Sequence, residues 1–318
     1  MTLKVALAQI APVWLNREKT LAKVSQQLEA AASGGARLAV FGEALVPGYP
    51  FWPELTEGAR FDSPVQKEIF AHYAANAVDL EGGGLDEICG LAARLEIAAY
   101  LGVIERSAER GGFSLYATLV YISPDGRVGS AHRKLMPTYE ERLVWSPGDG
   151  NGLRVHRLDE FTVGGLNCWE NWMPLPRAAL YGQGENLHVA VWPGSIRNTE
   201  DITRFIARES RSYVVSVSGM MHRDWITDDI PHADRMRAGI PADSDGWLTD
   251  GGSCVAGPDG HWVLEPQVAG EGLFFADLSI EQVARERQNF DPAGHYSRPD
   301  VTRLKVNRKR QKTVTLKD

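Results

Sequence analysis

The chain of 318 residues contains only three cysteines and no long hydrophobic run. Cys89, Cys168 and Cys254 are far apart in the sequence and form neither a CxxC motif nor a Cys/His ligand spacing, so disulfides and structural zinc are not expected. A run of about 18 apolar residues is missing, and the first residues lack the charged and apolar succession of a signal peptide. These absences predict a cytoplasmic protein without a membrane-spanning segment.

Basic residues are outnumbered, because 34 lysines and arginines stand against 41 aspartates and glutamates, for a formal charge of -7. This balance argues against nucleic-acid or anionic-membrane partners, since proteins that bind either usually present a basic face. A small-molecule substrate is expected instead. Basic side chains concentrate between Lys305 and Lys312. We predict one domain over residues 1–300 and a basic tail over 301–318, which is either disordered or a contact between subunits.

The first hundred residues alternate strand and helix patterns. KVALAQIAPV is predicted as a strand, and residues 17–32 carry apolar side chains at helical spacing. RLAVFG is a short apolar strand that ends at Glu43, before a loop rich in Gly and Pro. Residues 84–96 repeat the helical period and lead into the strand IAAYLGVIER. The recurring strand-helix-strand unit favours an α/β fold.

Two hairpins with the same turn residues divide the rest of the chain. Pro-Asp-Gly at 124–126 and again at 258–260 provides turn chemistry between strand-like runs. Helices are expected near 174–183 and 201–211. We interpret the pattern as two sheets packed face to face with helices outside, and no low-complexity linker divides them.

Cys168 lies at a strand-to-helix elbow. FTVGGLN is predicted as a strand that ends at this cysteine, and MPLPRAALYGQG as a helix that begins just beyond it. An elbow of this kind exposes the sulfur at the sheet edge, where backbone N–H groups can stabilise a thiolate or an oxyanion. The alternative is a small buried hydrophobe, which is how we interpret Cys89 and Cys254.

Two more ionisable residues occur where strands end, Glu43 after LAVFG and Lys134 before Met136 and Pro137. A carboxyl group in apolar surroundings has a raised pKa, which suits proton exchange near neutral pH. A lysine near a thiol favours the thiolate and stabilises developing negative charge. His222 and His232 lie in a polar loop with no metal-ligand spacing and are expected at the surface.

Three segments in this order resemble the signature of the nitrilase superfamily, the Glu-Lys-Cys carbon-nitrogen hydrolases. They are FGEALVPGYP with Glu43, HRKLMPTYEER with Lys134, and GGLNCWENWMPL with Cys168. The CWEN and RKLMPT sequences are similar to those of true nitrilases. The resemblance implies a four-layer αββα sandwich, no cofactor or metal, and self-association into a homodimer that builds larger oligomers or spirals.

The resemblance also implies a second active-site glutamate between the lysine and cysteine segments. Glu140 and Glu141 are both candidates, and the following Arg-x-x-Trp pattern favours Glu141. If the stretch is extended, adjacent side chains point in opposite directions and only one of them faces the thiol.

The substrate-binding residues are predicted from aromatic loops and from the neighbours of the cysteine. They are Tyr49, Trp52, Trp169, Glu170 and Trp192. Trp169 is expected to wall the reacting centre, and Glu170 and Asn171 to fix the elbow by hydrogen bonds, with plain N-capping as the alternative for Asn171.

The predicted activity is hydrolysis of an organic nitrile to the carboxylic acid and ammonia, through a thioimidate and a thioester on Cys168. The alternatives are an amidase or carbamoylase with the same residues, a cyanide-hydrolysing enzyme, and a catalytically silent binding or scaffold protein. The sequence leaves open the preferred nitrile, the ratio of acid to amide, the stereoselectivity and the oligomer size.

Overall fold

The structure is a computed structural model that describes residues 2–314, with a mixture of strands and helices. In chain order the strands are β1 (Thr2–Gln9), β2 (Leu38–Phe41), β3 (Ala98–Arg106), β4 (Leu115–Ile122), β5 (Val128–Arg133), β6 (His156–Leu158), β7 (Phe161–Asn167), β8 (Leu187–Trp192), β9 (Tyr213–Ser218), β10 (Met220–His222), β11 (Trp247–Ala256), β12 (Trp262–Val268) and β13 (Gly272–Ser279). The α-helices are α1 (Arg17–Ser33), α2 (Trp52–Leu55), α3 (Pro64–Ala75), α4 (Asp86–Leu95), α5 (Pro174–Tyr181), α6 (Ile196–Ser210), α7 (Ala233–Gly239) and α8 (Ile280–Arg287).

Two sheets form the centre of the molecule. The first has six strands in the order β13-β1-β2-β3-β4-β5, and the second has seven, in the order β10-β11-β9-β8-β7-β6 with β12 paired to β11. In each sheet three consecutive strands are parallel, β1 to β3 in one and β7 to β9 in the other. Their helical crossovers explain why these strands are buried on both faces.

The alternation of side chains along β1 shows how the layers are built. Val5 and Leu7 belong to the core between the two sheets, whereas Ala6 and Ala8 pack with α1 and α4 on the other face. Successive side chains of a strand point to opposite faces, so one apolar strand serves two cores. On the second sheet Ile202 of α6 takes the place of α1. The predicted αββα sandwich is confirmed.

The two hairpin turns and most predicted strands are present. The turns are closed by hydrogen bonds from the Gly126 N–H to the Ser123 carbonyl and from the Gly260 N–H to the Gly257 carbonyl, both 2.8 Å long. The helix predicted from residue 201 begins earlier, at Ile196, because Ser195 adopts a non-helical φ of 79° immediately before it. Its first turn carries several polar residues, which resemble a loop in the sequence.

Four helices, α2, α3, α7 and α8, were not predicted. Two of them have a proline in their first turn, Pro53 in α2 and Pro64 in α3. Proline is compatible with the first turn of a helix, but the surrounding Gly and Pro residues indicated only a loop. The helix α7 spans seven residues, too few for a clear periodicity.

Part of the basic tail is attached to the domain. The Arg310 guanidinium donates to Asp149 and to the carbonyl of Ala131, each at 3.0 Å, and the Gln311 N–H donates to Asp149 at 2.8 Å. Residues 315–318 of the predicted tail lie outside the described residues. Over residues 2–314, no helix has both the length and the apolar character needed to cross a bilayer.

Candidate active site

The three signature residues follow the ends of three strands that meet at one end of the sandwich. Glu43 comes two residues after β2 and Lys134 directly after β5 in the first sheet, while Cys168 comes directly after β7 in the second. The sheets approach closely here, since the Glu43 N–H donates to the carbonyl of Trp192 at 3.4 Å. Residues from both sheets thereby reach a common point.

Lys134 holds a buried ion cluster together. Its Nζ lies 2.9 Å from Oε1 of Glu43 and donates to Oε2 and Oε1 of Glu141 at 2.7 and 3.0 Å. The ligand atoms of Glu43, Glu141 and Cys168 all lie within 4.8 Å of one another. The four side chains are almost completely buried. The structure therefore brings together all four predicted catalytic residues.

The cluster has the composition of a metal site but already contains a cation. Two carboxylates and a thiol could bind a divalent ion, and these donors are mutually close. The Lys134 ammonium lies within 3.0 Å of both carboxylates, so a metal ion would have to share that space with a positive charge. This arrangement does not fit a resident metal.

Both carboxylate oxygens of Glu43 lack a hydrogen-bond partner among the described residues. The contact with Lys134 is short enough for an ion pair, but it does not have hydrogen-bond geometry. A buried carboxylate normally accepts hydrogen bonds, so this exception requires an explanation. These oxygens are free to accept a proton from Cys168 or from a water molecule.

Burial dominates the proton affinities in the cluster. Burial raises the pKa of Glu43 to about 8, against the opposing effect of Lys134 and with the help of Glu141. Burial and the nearby Glu43 also raise the pKa of the Cys168 thiol well above its ordinary value, although Lys134 opposes the rise. The lysine alone therefore does not make the resting cysteine a thiolate, and a proton acceptor is needed.

The backbone at Cys168 is held in the left-handed region, with φ at 48°. Non-glycine residues rarely adopt this conformation and do so where the surroundings enforce it. A short 3-10 helix, Cys168–Trp172, follows β7, and α5 begins only at Pro174. The predicted elbow is present, with one short helical turn between the strand and the α-helix.

Glu170 fixes this elbow instead of lining the substrate site. Its carboxylate accepts the N–H of Asn167 at 2.9 Å and the N–H of Leu135 at 2.6 Å, and it lies 3.1 Å from Nε2 of His132. Burial alone would raise the pKa of Glu170, but His132 and the backbone donors lower it. One carboxylate thus joins the residue after Lys134 to the residue before Cys168. Its assignment to substrate binding was wrong, because the side chain is buried beneath the elbow.

Asn171 also supports the elbow, and it is not the N-cap. Its amide donates to the carbonyls of Cys168 at 2.9 Å and Leu166 at 3.3 Å, and its oxygen lies 2.8 Å from Nε2 of His188. The N-cap of the following turn is Asn167, in a capping box with Glu170. Of the two alternatives for Asn171, the hydrogen-bonded support describes its contacts.

Glu141 and Glu140 lie on a 3-10 helix, Tyr139–Leu143, and not on an extended stretch. Glu141 points inward, where it contacts Lys134 and also accepts the N–H of Thr138 at 2.6 Å. Glu140 is half-buried, and its pKa is raised by burial and by its acidic neighbours. The two side chains still diverge, because adjacent residues of such a helix are about a third of a turn apart.

A cavity of about 750 Å³ opens onto Cys168. Tyr49 and Trp169 line it as predicted, and the Tyr49 hydroxyl donates to Glu141 at 2.8 Å. Trp169 is 53% exposed, so it forms a wall that remains accessible to substrate.

Trp52 and Trp192 do not line this cavity, and their assignment to the substrate pocket is corrected. Trp52 is buried against Tyr73, with ring centroids 4.6 Å apart. Trp192 is the last residue of β8 and is buried among side chains of the α6 layer. Aromatic residues near a site frequently serve the core, since their large apolar area favours burial.

Much of the cavity wall was not predicted from the sequence. It comes from segments distant in sequence, namely Glu54, Leu55, Thr138, Gly194, Ser195, Arg197, Asn198, Gly239, Pro241, Ser244, Trp247, Leu248 and Thr249. Glu54 and Leu55 belong to the aromatic loop that contains Tyr49 and Trp52, and the residues from Gly194 to Asn198 follow Trp192, so these two segments adjoin aromatic residues that were predicted from the sequence. The others belong to short helices and to β11, whose positions depend on tertiary packing.

Comparison with known proteins identifies relatives over nearly the whole chain. A family model described as carbon-nitrogen hydrolase matches residues 4–288. A nitrilase 2 from an unknown prokaryotic organism is 35% identical over 316 residues, which cover 99% of this chain and 95% of that protein. An aliphatic nitrilase from Sinorhizobium fredii (strain HH103) is 36% identical, with coverage of 98% and 97%. Nitrilase 2 of Arabidopsis thaliana is 34% identical, with coverage of 98% and 91%.

Solved structures share the fold at lower identity. A carbon-nitrogen hydrolase from Helicobacter pylori G27 matches with a TM-score of 0.69 at 17% identity, covering 94% of this chain and 96% of that one. An amidase from Nesterenkonia sp. matches with a TM-score of 0.65 at 17% identity, covering 91% and 96%. At this identity the likeness supports the architecture alone.

Proposed function

The chain belongs to the carbon-nitrogen hydrolase family, and on that premise we propose that it is a nitrilase, which converts an organic nitrile and water into a carboxylic acid and ammonia. The observation that carries the catalytic assignment is the buried cluster, in which unpartnered Glu43 oxygens lie near a thiol and beside a lysine ammonium. The cluster contains a nucleophile, a base and a cation within one water-poor site.

The first half of the reaction forms a covalent bond to sulfur. Glu43 accepts the proton of Cys168 as Sγ attacks the nitrile carbon, and it passes this proton to the nitrile nitrogen, which gives a neutral thioimidate and restores the Glu43 carboxylate. Lys134 stabilises the negative charge that develops on nitrogen. A hydrogen bond from the Trp169 N–H to the sulfur opposes the rise in the pKa of Cys168 and so favours its negatively charged form.

The second half uses two water molecules. Glu43 accepts a proton from the first water as the oxygen adds to the thioimidate carbon, and the tetrahedral intermediate expels ammonia to leave a thioester. A second water, activated in the same way, releases the carboxylic acid and returns the proton to Cys168. If the intermediate expels the sulfur first, the product is an amide. Glu141 keeps Lys134 in place throughout, through its two contacts of 2.7 and 3.0 Å.

A substrate panel with product identification tests this function. We expect acid and ammonia from benzonitrile, phenylacetonitrile, a dinitrile or cyanide, and no turnover by Cys168→Ala. Cys89→Ala is the matched control, because Cys89 is a half-buried cysteine of α4 and lies outside the cavity. Turnover of the matching amides alone would contradict the nitrilase assignment and favour an amidase. Retained nitrile turnover in Cys168→Ala would contradict the assigned nucleophile.

We also propose that the face of α5 and α6 forms a homodimer contact. Exposed apolar side chains cluster there, with Leu175 63%, Phe205 50% and Trp172 46% exposed. Trp172 and Phe205 border one depression with acidic and basic residues of α6 around it. Mixed charge around an apolar centre allows the same surface to pair with itself.

Light scattering after size exclusion tests the dimer. Phe205→Glu is expected to shift the protein toward monomer, because a charge then replaces an apolar ring at the centre of the contact. Phe113→Glu is the control, since Phe113 is 75% exposed on a different part of the surface. A wild-type monomer, or an unchanged mass for Phe205→Glu, would overturn the proposed contact.

A further inference from the structure

One positive charge in the cavity has no assigned partner. Arg197 lines the cavity from the first turn of α6 and is exposed there, and Cys168 lines the same cavity. Within residues 2–314 its guanidinium makes no ion pair and no hydrogen bond. An arginine presents a planar set of donors that matches a carboxylate. A cavity that opens onto a nucleophile therefore also contains an unused carboxylate-binding group.

A buried hydroxyl lies beside the same turn. Thr249 of β11 is 9% exposed, lines the cavity, and its Oγ1 has no hydrogen-bond partner among the described residues. A Cβ added at Gly194 would lie 2.8 Å from this oxygen, so the hydroxyl lies next to the residue that precedes Ser195 and α6. Buried hydroxyls are normally hydrogen-bonded, so an unpartnered one at a cavity wall is available to bind a polar group of a ligand.

The backbone at the start of α6 also favours the binding of a negatively charged group. Gly194, Ser195, Arg197 and Asn198 all line the cavity, so the first turn of this 15-residue helix faces it. The N-terminal end of a helix carries partial positive charge and attracts anions. The guanidinium, the free hydroxyl and the helix terminus thus favour the same kind of ligand group.

We propose that the nitrile substrate carries a carboxylate group, which binds to Arg197 and Thr249 at the start of α6 while the nitrile carbon reaches Cys168. This inference rests on the proposed nitrilase function and specifies its substrate class. The product is then a dicarboxylic acid, since the nitrile carbon becomes the second carboxylate. The cavity volume of about 750 Å³ is large enough for such a molecule.

Acidic side chains in the cavity restrict where the carboxylate binds. Glu54 and Glu140 also line it, and neither forms an ion pair with a basic residue in the described part of the chain. They repel an anion placed near α2 or near the 3-10 helix that carries Glu140. The carboxylate is accordingly directed to the α6 side, which makes the distance between carboxylate and nitrile a determinant of the substrate.

A chain-length series of nitriles provides the test. We would measure kcat/KM for cyanoacetate, 3-cyanopropanoate, 4-cyanobutanoate and 5-cyanopentanoate, each beside the neutral alkyl nitrile of equal length and an amino-terminated analogue. At least one cyano acid should exceed its neutral partner. Arg197→Gln should reduce this preference about tenfold, as expected for loss of one hydrogen bond between charged groups. The preference should also weaken with added salt.

Two further variants test whether the preference for cyano acids depends on the proposed carboxylate site. Thr249→Val removes the hydroxyl at similar volume and should lower the preference for the cyano acid. Arg94→Gln removes one exposed positive charge from α4, outside the cavity, and should leave the preference unchanged. Equal kcat/KM for cyano acids and neutral nitriles would overturn the inference while the nitrilase function stands. So would a preference for the amino-terminated analogues. Failure to hydrolyse any nitrile would overturn the proposed function itself.

Discussion

The carboxylates of Glu43 and Glu141 share the one ammonium group of Lys134, and they make different contacts with it. Glu141 accepts both hydrogen bonds from Nζ, whereas Glu43 makes an ion pair without hydrogen-bond geometry. Only one of the two negative charges is fully compensated. Burial raises the pKa of Glu43 to about 8, although the nearby Lys134 lowers it.

The first prediction concerns the pH dependence of turnover. As a base, Glu43 acts in its ionised form, and below its raised pKa it is protonated. The kcat/KM for a neutral nitrile should therefore rise with pH, with an apparent midpoint near 8. A profile from pH 5.5 to 9.5 checks this, and Glu140→Gln should keep the midpoint. A flat profile between pH 6 and 9 would contradict the assignment of Glu43 as the base.

The second prediction concerns Glu170, which positions the elbow without facing the substrate. Glu170→Gln replaces a carboxylate that accepts from two backbone N–H groups and contacts His132. Loss of charged hydrogen bonds of this kind costs about 1.5–3 kcal/mol. We expect a lower melting temperature and a lower kcat with little change in KM.

Thermal unfolding and steady-state kinetics measure both effects. Glu200→Gln is the control, because Glu200 is exposed on α6. A change in KM alone would indicate that Glu170 binds the substrate after all.

The sequence was sufficient to identify catalytic residues that lie within recognisable motifs. It was insufficient for residues that only the fold brings together. Glu43, Lys134 and Cys168 follow the strands β2, β5 and β7, whose ends meet at one end of the sandwich. Arg197 and Thr249 are 52 positions apart in the numbering and have no pattern in common. For Glu170 the sequence indicated support of the elbow, but its backbone partners at Leu135 and Asn167 are visible only in the folded chain.

At the scale of elements, the loop after the 3-10 helix Tyr139–Leu143 supports Lys134, which follows directly after β5. The Gly148 N–H donates to the Lys134 carbonyl at 2.7 Å, and the tail reinforces this loop through Gln311, whose amide donates to the Gly148 carbonyl at 3.0 Å. The position of Lys134 therefore depends on two segments that do not touch the cavity.

The third prediction tests this support. A Cβ at Gly148 would lie 2.2 Å from the carbonyl oxygen of Arg133, which is backbone and has little room to move. Gly148→Ala should displace Lys134 and lower both kcat and the melting temperature. Gly182→Ala is the matched control, because the nearest atom to its Cβ is 3.4 Å away and its φ of -63° suits alanine. Equal effects of the two substitutions would contradict the proposed support.

Prediction succeeded for helices with a sustained apolar period, and it failed for the shortest helices and for the 12-residue α3, where the surrounding Gly and Pro residues indicated only a loop. Residues 17–32 show the helical period clearly, and α1 was found at Arg17–Ser33. The short helices α2 and α7 contribute Leu55 and Gly239 to the cavity, but each spans too few residues to establish a period. Their conformation is determined by packing against the rest of the domain.

At the scale of the whole molecule, folding buries ionisable groups in the site, and burial disfavours their charged forms. A carboxyl group whose folded pKa is raised holds an extra proton in the folded state between its two pKa values. For Glu43 these are about 4.5 unfolded and about 8 folded. Its favourable contribution to folding is complete below the lower value and is lost as the pH rises through the higher one.

The fourth prediction follows from this linkage. Glu43→Gln should be inactive, and it carries no titrating group at this position, so it avoids the cost of a buried charge at high pH. Its melting temperature relative to wild type should increase from pH 6 to pH 9, as measured by calorimetry at several pH values. Glu200→Gln should show no such trend, and a constant difference between Glu43→Gln and wild type would contradict the raised pKa.

The nucleophile and its base belong to different sheets, and this has a consequence for folding kinetics. Glu43 and Lys134 extend from the first sheet and Cys168 from the second, so neither sheet alone contains a working site. An intermediate with two formed but undocked sheets has native secondary structure and no turnover. During refolding, the return of activity should therefore lag behind the return of circular dichroism, and the interval between them reports the docking of the sheets.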